Sequence, residues 1–221
     1  MLLPKLDERL QTAYDLFPTC EWAADVGCDH GRLPLHLLAA DKAERMIVSD
    51  ISPQALAKGK ELISRWGYGH RAVFCAADGL NCLDRTVEAV SILGMGGETI
   101  ETILAKGKSR LKGACLILSG HTELEKIRQA VAGIDYHLAE ERLCKAAGRL
   151  YVVMRAEPGA QPMTEKELWL GPCLIREKQP LWPEYLAWRS RVAETALKAI
   201  RPDDPRGESL RRMLTYLREE M

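Results

Sequence analysis

The stretch WAADVGCDHG, residues 22–31, contains an apolar run, an acid and then two glycines that are four residues apart. This order predicts a buried strand that turns directly into a helix, which the apolar spacing places from about Leu33 to Ala40. Glycines at such a turn let backbone N–H groups approach a ligand closely, and the N-terminus of the helix points to the same place. The stretch therefore predicts a site for a nucleotide-type cofactor.

The charges in this turn favour a cationic cofactor. In the dinucleotide-binding motif a second glycine makes room for a pyrophosphate, whereas here the equivalent position holds Asp29, whose carboxylate repels a diphosphate. S-adenosyl-L-methionine carries a sulfonium and an ammonium group, so its charge is complementary to Asp25 and Asp29. Taken alone, the turn also fits an ordinary α/β unit with two solvated aspartates.

Two further apolar runs end in an acid. The run 45–50 ends in Asp50, about twenty residues beyond the glycines, where nucleotide-binding α/β folds place the group that binds ribose hydroxyls. The run 72–78 ends in Asp78, which we predict to lie near the adenine amino group. A single aspartate at the end of a strand is usually a helix cap or a loop residue, but three at this spacing favour an adenosine site.

A fourth apolar run, 89–93, leads into Gly94-Met95-Gly96-Gly97. Three glycines in four residues leave open backbone at the end of a strand, which is where ligands bind in open α/β sheets. We place Gly97 on the substrate side of this site. The residues predicted to bind the cofactor lie in these turns and strand ends: Asp25, Gly27, Cys28, Gly31, Asp50, Ile51, Asp78, Gly79, Gly94, Met95 and Gly96.

The remaining pattern predicts the fold class and the domain organisation. A fifth strand at 115–118, a helix at 123–131 and a hairpin of strands 136–142 and 150–156 follow the glycine segment. We therefore predict an α/β, Rossmann-like, mostly parallel seven-stranded sheet with an antiparallel edge hairpin. Residues 157–162 are typical of a linker, so the predicted cofactor-binding domain spans residues 1–160 and a second unit spans residues 161–221.

The second unit is predicted to be a small, coiled-coil-like helical hairpin. A capping box at 164–167 begins a short helix that ends at Gly171-Pro172, and a longer helix begins at Pro183. Residues 201–207 break this helix before a last one begins. A role in RNA binding and a role in dimerisation or bracing both fit such a pair. Six basic side chains lie on it: Arg189, Arg191, Lys198, Arg211, Arg212 and Arg218.

The overall charge gives no sign of an avid nucleic-acid binder. With 31 Lys and Arg against 31 Asp and Glu, the 221-residue chain has no net positive charge, so RNA binding would depend on a local basic patch. Besides the helical hairpin, candidates for such a patch lie near the N-terminus, the first turn and the edge strands: Lys5, Arg9, Arg32, Arg142, Lys145 and Arg149.

Cysteine and histidine usage is typical of a cytoplasmic protein without a metal centre. The seven cysteines form no C-x-x-C pair and are predicted to be reduced thiols. The five histidines lack the spacing of metal ligands, so no metal is expected. The apolar runs are too short to cross a membrane and the N-terminus lacks a signal-peptide core, so we expect no membrane partner.

Four of these motifs together resemble a known family. They are the segment DVGCDHGRLP at 25–34, Asp50, the segment Asp78-Gly79-Leu80 and the segment GMGGETI at 94–100. This set resembles the bacterial tRNA (adenine(22)-N1)-methyltransferases, a class I group that depends on S-adenosyl-L-methionine. The resemblance implies that the chain methylates N1 of an adenine in tRNA, with S-adenosyl-L-methionine as cofactor and tRNA as partner. We expect a monomer or a weak homodimer.

One loop departs from the family pattern. After the fifth strand the family usually carries Gln-Pro-Asn, whereas this chain has Ser119-Gly120-His121. The departure leaves open a methyltransferase that acts on another RNA base or on a small molecule, and a cofactor-binding RNA module without catalysis. The candidate substrate contacts are Gly97, Arg9, Arg32 and His121.

Asp29 and His30 are the candidate catalytic residues. Because adenine N1 has an in-plane lone pair, methyl transfer needs mainly positioning. The methylated base is cationic, so a nearby carboxylate stabilises the charge that develops on it, and Asp29 is the candidate for this role or for accepting a proton from the exocyclic amine. His30 either takes part in the chemistry or orients the loop.

Overall fold

A seven-stranded sheet forms the centre of the structure, a computed structural model that describes residues 2–201 and 204–221. Its strands are β1 (Cys20–Val26), β2 (Ala43–Asp50), β3 (Ala72–Ala76), β4 (Ala89–Met95), β5 (Cys115–Gly120), β6 (Tyr136–Ala146) and β7 (Arg149–Pro158). They lie in the order β3-β2-β1-β4-β5-β7-β6. Strands β1 to β5 are parallel, and β7 runs antiparallel to both β5 and β6. The predicted sheet with its antiparallel edge hairpin is confirmed.

Helices cover both faces of this sheet, because each parallel connection must cross over a face. In chain order they are α1 (Glu8–Leu16), α2 (Arg32–Ala39), α3 (Pro53–Arg65), α4 (Gly97–Leu111), α5 (Leu124–Gly133), α6 (Glu165–Leu170), α7 (Pro172–Glu177), α8 (Trp182–Ala199) and α9 (Arg206–Glu220). Helices α1 to α3 bury Leu16, Leu35 and Ile63 in one apolar cluster. Helices α4 and α5 bury Ile100 and Ile127 in a second cluster on the opposite face.

Two helix starts follow from local sequence. The Ser52 side chain caps α3 by accepting a hydrogen bond from the Ala55 N–H at 3.3 Å, and Pro53 supplies the first helical residue. At the start of α6, Thr164 accepts from the Glu167 N–H, and the Glu167 carboxylate accepts from the Thr164 N–H. The predicted capping box is confirmed.

The C-terminal part contains one helix that the sequence does not predict. The dipeptide Gly171-Pro172 indicates the end of a helix, yet α7 begins directly at Pro172. Gly171 adopts a φ of +97°, which redirects the backbone, and a proline is well suited to the first position of the next helix. Beyond α7, α8 and α9 pack side by side, so the predicted hairpin is confirmed; residues 202 and 203 of the predicted break lie outside the described residues.

The C-terminal helices share their core with the sheet. Tyr185 of α8 and Leu217 of α9 belong to the same apolar cluster as Ile127 of α5 and Leu138 of β6. Residues 159–162, between β7 and α6, are exposed, in keeping with the predicted linker, although its first two residues, 157 and 158, belong to β7. The division of the chain into domains 1–160 and 161–221 stays a prediction, but α6 packs against α5 and α7 against β6, so the C-terminal helices join the core of the sheet rather than being tethered beside it.

A buried ion pair lies at this junction. The side chains of Arg128 and Glu141 are both fully buried, and Arg128 Nε donates to Glu141 Oε1 at 2.9 Å. Arg128 Nη1 also donates to the Leu168 carbonyl of α6, and Glu141 Oε2 accepts from the Cys173 N–H of α7. One buried charge on α5 and one on β6 therefore hold the backbone of the first two C-terminal helices.

The edge strand β6 shifts its register by one residue. Leu138 pairs with Ala156, whereas Glu140 pairs with Arg155, so Ala139 has no partner of its own on β7. Because side chains alternate across a strand, this extra residue exchanges the two faces of β6 beyond it. Glu141 consequently faces Met154 on the α5 side of the sheet, in the position needed to meet Arg128.

Within residues 2–201 and 204–221, no helix combines the length and the apolar character needed to cross a membrane.

Candidate active site

A cavity of about 720 Å³ lies at the carboxyl ends of β1, β2 and β4. The chain turns to opposite sides of the sheet after β1 and after β4, and open α/β sheets bind ligands at such a switch point. Most predicted site residues line this cavity: Arg9, Asp25, Gly27, Cys28, Asp29, His30, Arg32, Asp50, Ile51, Asp78, Gly79, Gly94, Met95 and His121. The strand-end acids and the glycine segment therefore meet in one place, although they are far apart in sequence.

The turn after β1 depends on its glycines. Gly27 has a φ of +77° and Gly31 a φ of +66°, both in the left-handed region that favours glycine. A Cβ at Gly27 would collide with the Met95 methyl group, and one at Gly31 would stand 2.9 Å from the Gly59 Cα of α3. Gly27 thus keeps the floor of the cavity open, whereas Gly31 lies behind it and allows the turn to approach α3.

Asp50 organises the adjacent loops through its carboxylate. Oδ2 accepts from the Asp29 N–H at 3.1 Å, and Oδ1 accepts from the Ser52 N–H at 2.8 Å. Asp29 itself has a φ of +48°, and its exposed carboxylate lies 2.7 Å from His30 Nδ1. The Asp29–His30 pair is therefore held next to Asp50, on the β2 side of the cavity.

Asp25 is the buried acid of the site. It is only 4% exposed, and Ser91 Oγ on β4 donates to Asp25 Oδ1 at 2.5 Å. Burial raises the pKa of this carboxyl to about 6; the nearby Asp50 charge acts in the same direction, while the Ser91 hydrogen bond and the Arg9 guanidinium lower it. A positive ligand in the cavity would stabilise the ionised form of Asp25.

The β4–β5 side of the cavity is built differently from the β2 side. Arg9 of α1 and His121, which follows β5, both lie over Gly94, which has a φ of +76°. A Cβ at Gly94 would stand 3.3 Å from Arg9 Nη1 and 3.7 Å from His121 Nε2. Tyr151 of β7 supports both side chains, with the His121 ring edge-on at 5.8 Å and the Arg9 guanidinium 5.6 Å from its ring centre.

Arg9 Nη1 is buried and has no hydrogen-bond partner among the described residues. A buried donor without a partner is costly, so such a group at a cavity wall marks a position where a ligand acceptor fits. The three donors predicted on the substrate side all line the cavity: Arg9 and His121 on this wall, and Arg32 at the start of α2.

Three predicted residues do not line the cavity. Gly31 packs against Gly59, Gly96 precedes α4 as its N-cap, and the Gly97 N–H donates to the Thr122 carbonyl at 3.1 Å. A Cβ at Gly97 would collide with the Glu123 carbonyl oxygen, so this glycine packs the β4–α4 turn against the loop after β5. The contact of Gly97 with substrate stays a prediction; in the structure this glycine packs against protein backbone.

Sequence reasoning did not include several residues that line the cavity: Asp7, Leu10, Val26, Leu33, Ala77, Leu93, Thr99 and Ile103. Most are apolar side chains of strands and helices, which local pattern cannot distinguish from core residues. Asp7 caps α1 by accepting from the Leu10 N–H at 2.8 Å. A signal for Asp7 is present in the sequence, because an acid three residues before an apolar position at a helix start is typical of an N-cap.

The predicted basic residues outside the cavity separate into paired and unpaired groups. Arg142 pairs with Glu140, and Lys145 pairs with Glu184. Arg189 is one of the six basic residues predicted to lie on the C-terminal helical hairpin as RNA contacts, but it does not face solvent. Its side chain is 5% exposed and pairs with Glu125 of α5. Arg212 is paired with both Glu165 and Glu208. Within the described ranges, four exposed cations of α8 and α9 form no salt bridge: Arg191, Lys198, Arg211 and Arg218.

The fold and the cavity together define a class I S-adenosyl-L-methionine-dependent methyltransferase. The strand order places an acid-lined cavity at the switch point, and its volume lies in the range of about 300–1,000 Å³ that small-molecule sites occupy. Asp25, Asp50 and Asp78 supply negative charge and hydrogen-bond acceptors that fit a cationic nucleoside cofactor.

Comparisons with known proteins identify the family. The sequence model of the tRNA (adenine(22)-N(1))-methyltransferase family matches residues 23–221. The tRNA (adenine(22)-N(1))-methyltransferase of Bacillus subtilis is 30% identical over 207 residues, which cover 88% of this chain and 87% of that protein. This chain therefore belongs to the tRNA (adenine(22)-N(1))-methyltransferase family.

Solved structures agree with this assignment. The crystal structure of the B. subtilis M1A22 tRNA methyltransferase TrmK is similar with a TM-score of 0.86 at 26% identity, over 98% of each chain. Streptococcus pneumoniae Sp1610, a putative tRNA (m1A22) methyltransferase in complex with S-adenosyl-L-methionine, has the same fold with a TM-score of 0.86 at 22% identity, over 96% of this chain and 97% of that chain.

Proposed function

We propose that this enzyme transfers the methyl group of S-adenosyl-L-methionine to N1 of adenine 22 in tRNA. The observation that carries the proposal is the acid-lined cavity at the switch point, in a chain whose family is defined by this reaction. When bound, the cofactor supplies an electrophilic methyl group on a sulfonium. The chain's own residues bind that cofactor, orient the base and stabilise the charge that arrives on it.

Asp50 and Asp78 are proposed to hold the adenosine part of the cofactor. Asp50 lies at the end of β2, where a carboxylate accepts hydrogen bonds from ribose hydroxyls, and Asp78 lies at the end of the neighbouring β3. Gly27 and Gly94 leave backbone open beside Asp25, so the cationic end of the cofactor fits against the buried acid. This arrangement supports cofactor roles for Asp25, Gly27, Cys28, Asp50, Ile51, Asp78, Gly79, Gly94 and Met95.

The substrate side is proposed to lie toward β4 and β5. Arg9, Arg32 and His121 border the cavity there or at its mouth, and cations at a rim attract RNA phosphates. Asp29 lies next to Asp50, on the β2 side, so we propose that its exposed carboxylate stabilises the cationic base from across the cavity, with His30 Nδ1 at 2.7 Å orienting that carboxylate. An adenine within a stack must leave it before N1 can enter the cavity.

A second RNA surface is proposed on the C-terminal helical hairpin. Its support is the set of exposed cations of α8 and α9 that have no ion-pair partner among the described residues, whereas Arg189 and Arg212 are neutralised by acids. The zero net charge of the chain does not oppose this proposal, because phosphate contacts depend on local rather than total charge.

We place this activity in the cytoplasm. The support is the tRNA substrate of the family and the free thiol state of Cys20, Cys28, Cys75, Cys82, Cys115, Cys144 and Cys173. A monomer or weak homodimer stays a prediction.

The direct test is mass spectrometry of nucleosides from tRNA after incubation with enzyme and isotope-labelled S-adenosyl-L-methionine. The expected product is labelled 1-methyladenosine, which a tRNA transcript with guanine at position 22 should not form. A labelled nucleoside of another kind would identify a methyltransferase with a different target. Binding of cofactor without any labelled nucleoside would identify a cofactor-binding RNA module.

The hairpin proposal is tested in the intact chain, because removal of residues beyond 161 would expose the buried Arg128–Glu141 pair. The variant Arg191→Gln/Arg211→Gln/Arg218→Gln should weaken tRNA binding and lower its salt dependence by up to about three units of slope. The matched control is Lys58→Gln/Lys60→Gln/Lys106→Gln, which removes three exposed cations of α3 and α4. Equal tRNA affinity of the two variants would contradict an RNA role for the hairpin.

A further inference from the structure

We propose that His121 binds the target adenine directly, by accepting a hydrogen bond from the exocyclic N6 amine on the same edge as N1. This proposal rests on the proposed function. It goes further by naming the substrate group that His121 contacts, the N6 amine of the target adenine. His121 directly follows β5 and belongs to the segment Ser119-Gly120-His121 that distinguishes this chain from the usual family pattern. The N6 amine is the donor next to N1, so a residue that accepts from it fixes the position of the reacting nitrogen.

The order of the strands places His121 at the opposite end of the cavity from the adenosine acids. Asp50 ends β2 and His121 follows β5, with β1 and β4 between them. Three strand spacings correspond to roughly 14 Å. If the cofactor adenosine occupies the Asp50 end, the base that receives the methyl group must approach from the side of β4 and β5, where His121 lies.

His121 is an exposed residue whose ring is positioned by contacts on one side. Its backbone N–H donates to the Met95 carbonyl at 2.9 Å, and its ring packs edge-on against Tyr151. The space in front of the ring is open because residue 94 is a glycine, and Arg9 borders the other side of that space. A flat base that enters over Gly94 therefore meets an imidazole whose orientation is already set.

The groups around His121 favour its neutral form. Burial and the Arg9 guanidinium of α1 lower the pKa of His121, and Arg149 of β7 acts in the same sense; the Gly94 carbonyl of β4 opposes them. Tyr151 is the remaining titratable group that packs against the ring, and it contributes a neutral aromatic face. A neutral imidazole has one nitrogen free to accept a hydrogen bond, whereas a protonated one has none.

The chemistry of the step strengthens this hydrogen bond. The N1 lone pair forms a bond to the methyl carbon, the carbon–sulfur bond breaks, and its electron pair remains on sulfur as a neutral thioether. The positive charge passes from sulfur to the adenine, where N1 and N6 share it, and no proton needs to leave. The N6–H group then donates as part of a cation, so its bond to His121 is stronger in the transition state than in the ground state.

The decisive experiment combines a side-chain deletion with a substrate deletion. Single-turnover methylation is measured for the wild type and His121→Ala, on tRNA with adenine at the target position and on the same tRNA with purine, which lacks the N6 amine. On adenine, His121→Ala should lower the rate roughly 10- to 100-fold, the range of a hydrogen bond to a charged group. On purine, the two enzymes should agree within about twofold, because the bond is absent from both.

Three further measurements make the outcome decisive. Calorimetric affinity for S-adenosyl-L-methionine should be unchanged in His121→Ala, which shows that the site is folded. His121→Gln should recover most of the rate on adenine, since its amide oxygen also accepts. His70→Asn, an exposed histidine just before β3 at the other edge of the sheet, should equal the wild type.

A loss of the same size on adenine and on purine would overturn the proposal, as would no loss on adenine. A wild-type enzyme that forms no 1-methyladenosine would instead contradict the proposed function itself. The acid side of the pH profile gives an independent check: the wild-type rate should fall more steeply than that of His121→Gln, which lacks the titration of His121 and keeps that of Asp25. Identical acid limbs would contradict a neutral His121 as acceptor.

Discussion

Polar side chains are buried both beneath the C-terminal helices and in the cavity, but only those beneath the helices meet protein partners of opposite charge. Arg128 and Glu141 are fully buried and bind each other and the backbone of α6 and α7. Asp25 and Arg9, in the cavity, face open space, and Arg9 Nη1 has no hydrogen-bond partner among the described residues. The first arrangement holds the fold together, whereas the second leaves binding capacity for ligands.

The largest effect is expected at the junction. Arg128→Leu leaves the Glu141 carboxylate buried without a partner and should lower the free energy of unfolding by about 3–5 kcal/mol. Urea denaturation followed by circular dichroism measures this loss. The double variant Arg128→Leu/Glu141→Leu should be less destabilised than the single one, because no buried charge remains.

The matched control is a surface pair of the same kind. Lys108 and Asp135 form a 2.6 Å ion pair that is largely exposed, and Lys108→Leu should change the unfolding free energy by no more than about 1 kcal/mol. If Arg128→Leu is no more destabilising than Lys108→Leu, the junction does not differ from an ordinary surface contact, and the comparison fails.

The second prediction concerns cofactor binding. Asp50→Ala removes the proposed acceptor for the ribose hydroxyls and should weaken S-adenosyl-L-methionine binding by about 1.5–3 kcal/mol in calorimetry. Because Asp50 also accepts from the backbone of Asp29 and Ser52, the unfolding free energy of the variant is measured alongside. Glu21→Ala, at the amino end of β1, is the control and should bind like the wild type; unchanged affinity of Asp50→Ala would remove Asp50 from the site.

The third prediction separates chemistry from binding at Asp29. Asp29→Asn keeps the size of the side chain but removes the charge proposed to face the cationic base, and should lower kcat about tenfold. Cofactor affinity should stay within about twofold. A parallel loss of turnover and cofactor affinity would instead make Asp29 a binding residue, which its position beside Asp50 also allows.

The smallest effect is a proton released on binding. The pKa of Asp25 is raised to about 6 mainly by burial, so the protonated carboxyl stabilises the empty fold at low pH, and this contribution is lost as pH rises through about 6. A cationic ligand lowers that pKa, so near pH 6 cofactor binding should release about half a proton. Calorimetry in buffers of different ionisation enthalpy detects this release, and it should vanish in Asp25→Asn; a release of the same size in the variant would exclude Asp25 as its source.

The cofactor side of the molecule was predictable because its signals are local. The strand ends at Asp25, Asp50 and Asp78 each combine an apolar run with an acid, and parallel strands bring their carboxyl ends to one edge. The caps at Ser52 and Thr164 depend on residues within one helical turn. Each of these features is fixed by neighbours in sequence, so the sequence alone predicts them.

The junction was not predictable because its partners are far apart in sequence. Nothing around Arg128 indicates that Glu141 will lie beside it, and a lone arginine on a helix is normally exposed. Arg189 was counted among the basic residues of the hairpin because an arginine on a helix is normally exposed, but it lies buried against Glu125. The Gly171-Pro172 dipeptide marks a helix end but does not reveal that another helix follows, since that depends on packing against β6.

Ala139, the unpaired residue of β6, determines which side chains of the rest of the strand face α5. If β6 ran through Ala139 without the register shift, the alternation set by Leu138 would bring Glu140 and Arg142 to the α5 side and turn Glu141 away from it. Arg128 would lose its counter-ion, and a second arginine would be directed at the same layer. Deletion of Ala139 would leave a regular strand with Glu141 still opposite Met154, whereas a one-residue deletion beyond Glu141 would invert the residues that follow it, so the deletion of Ala139 is expected to be the better tolerated of the two.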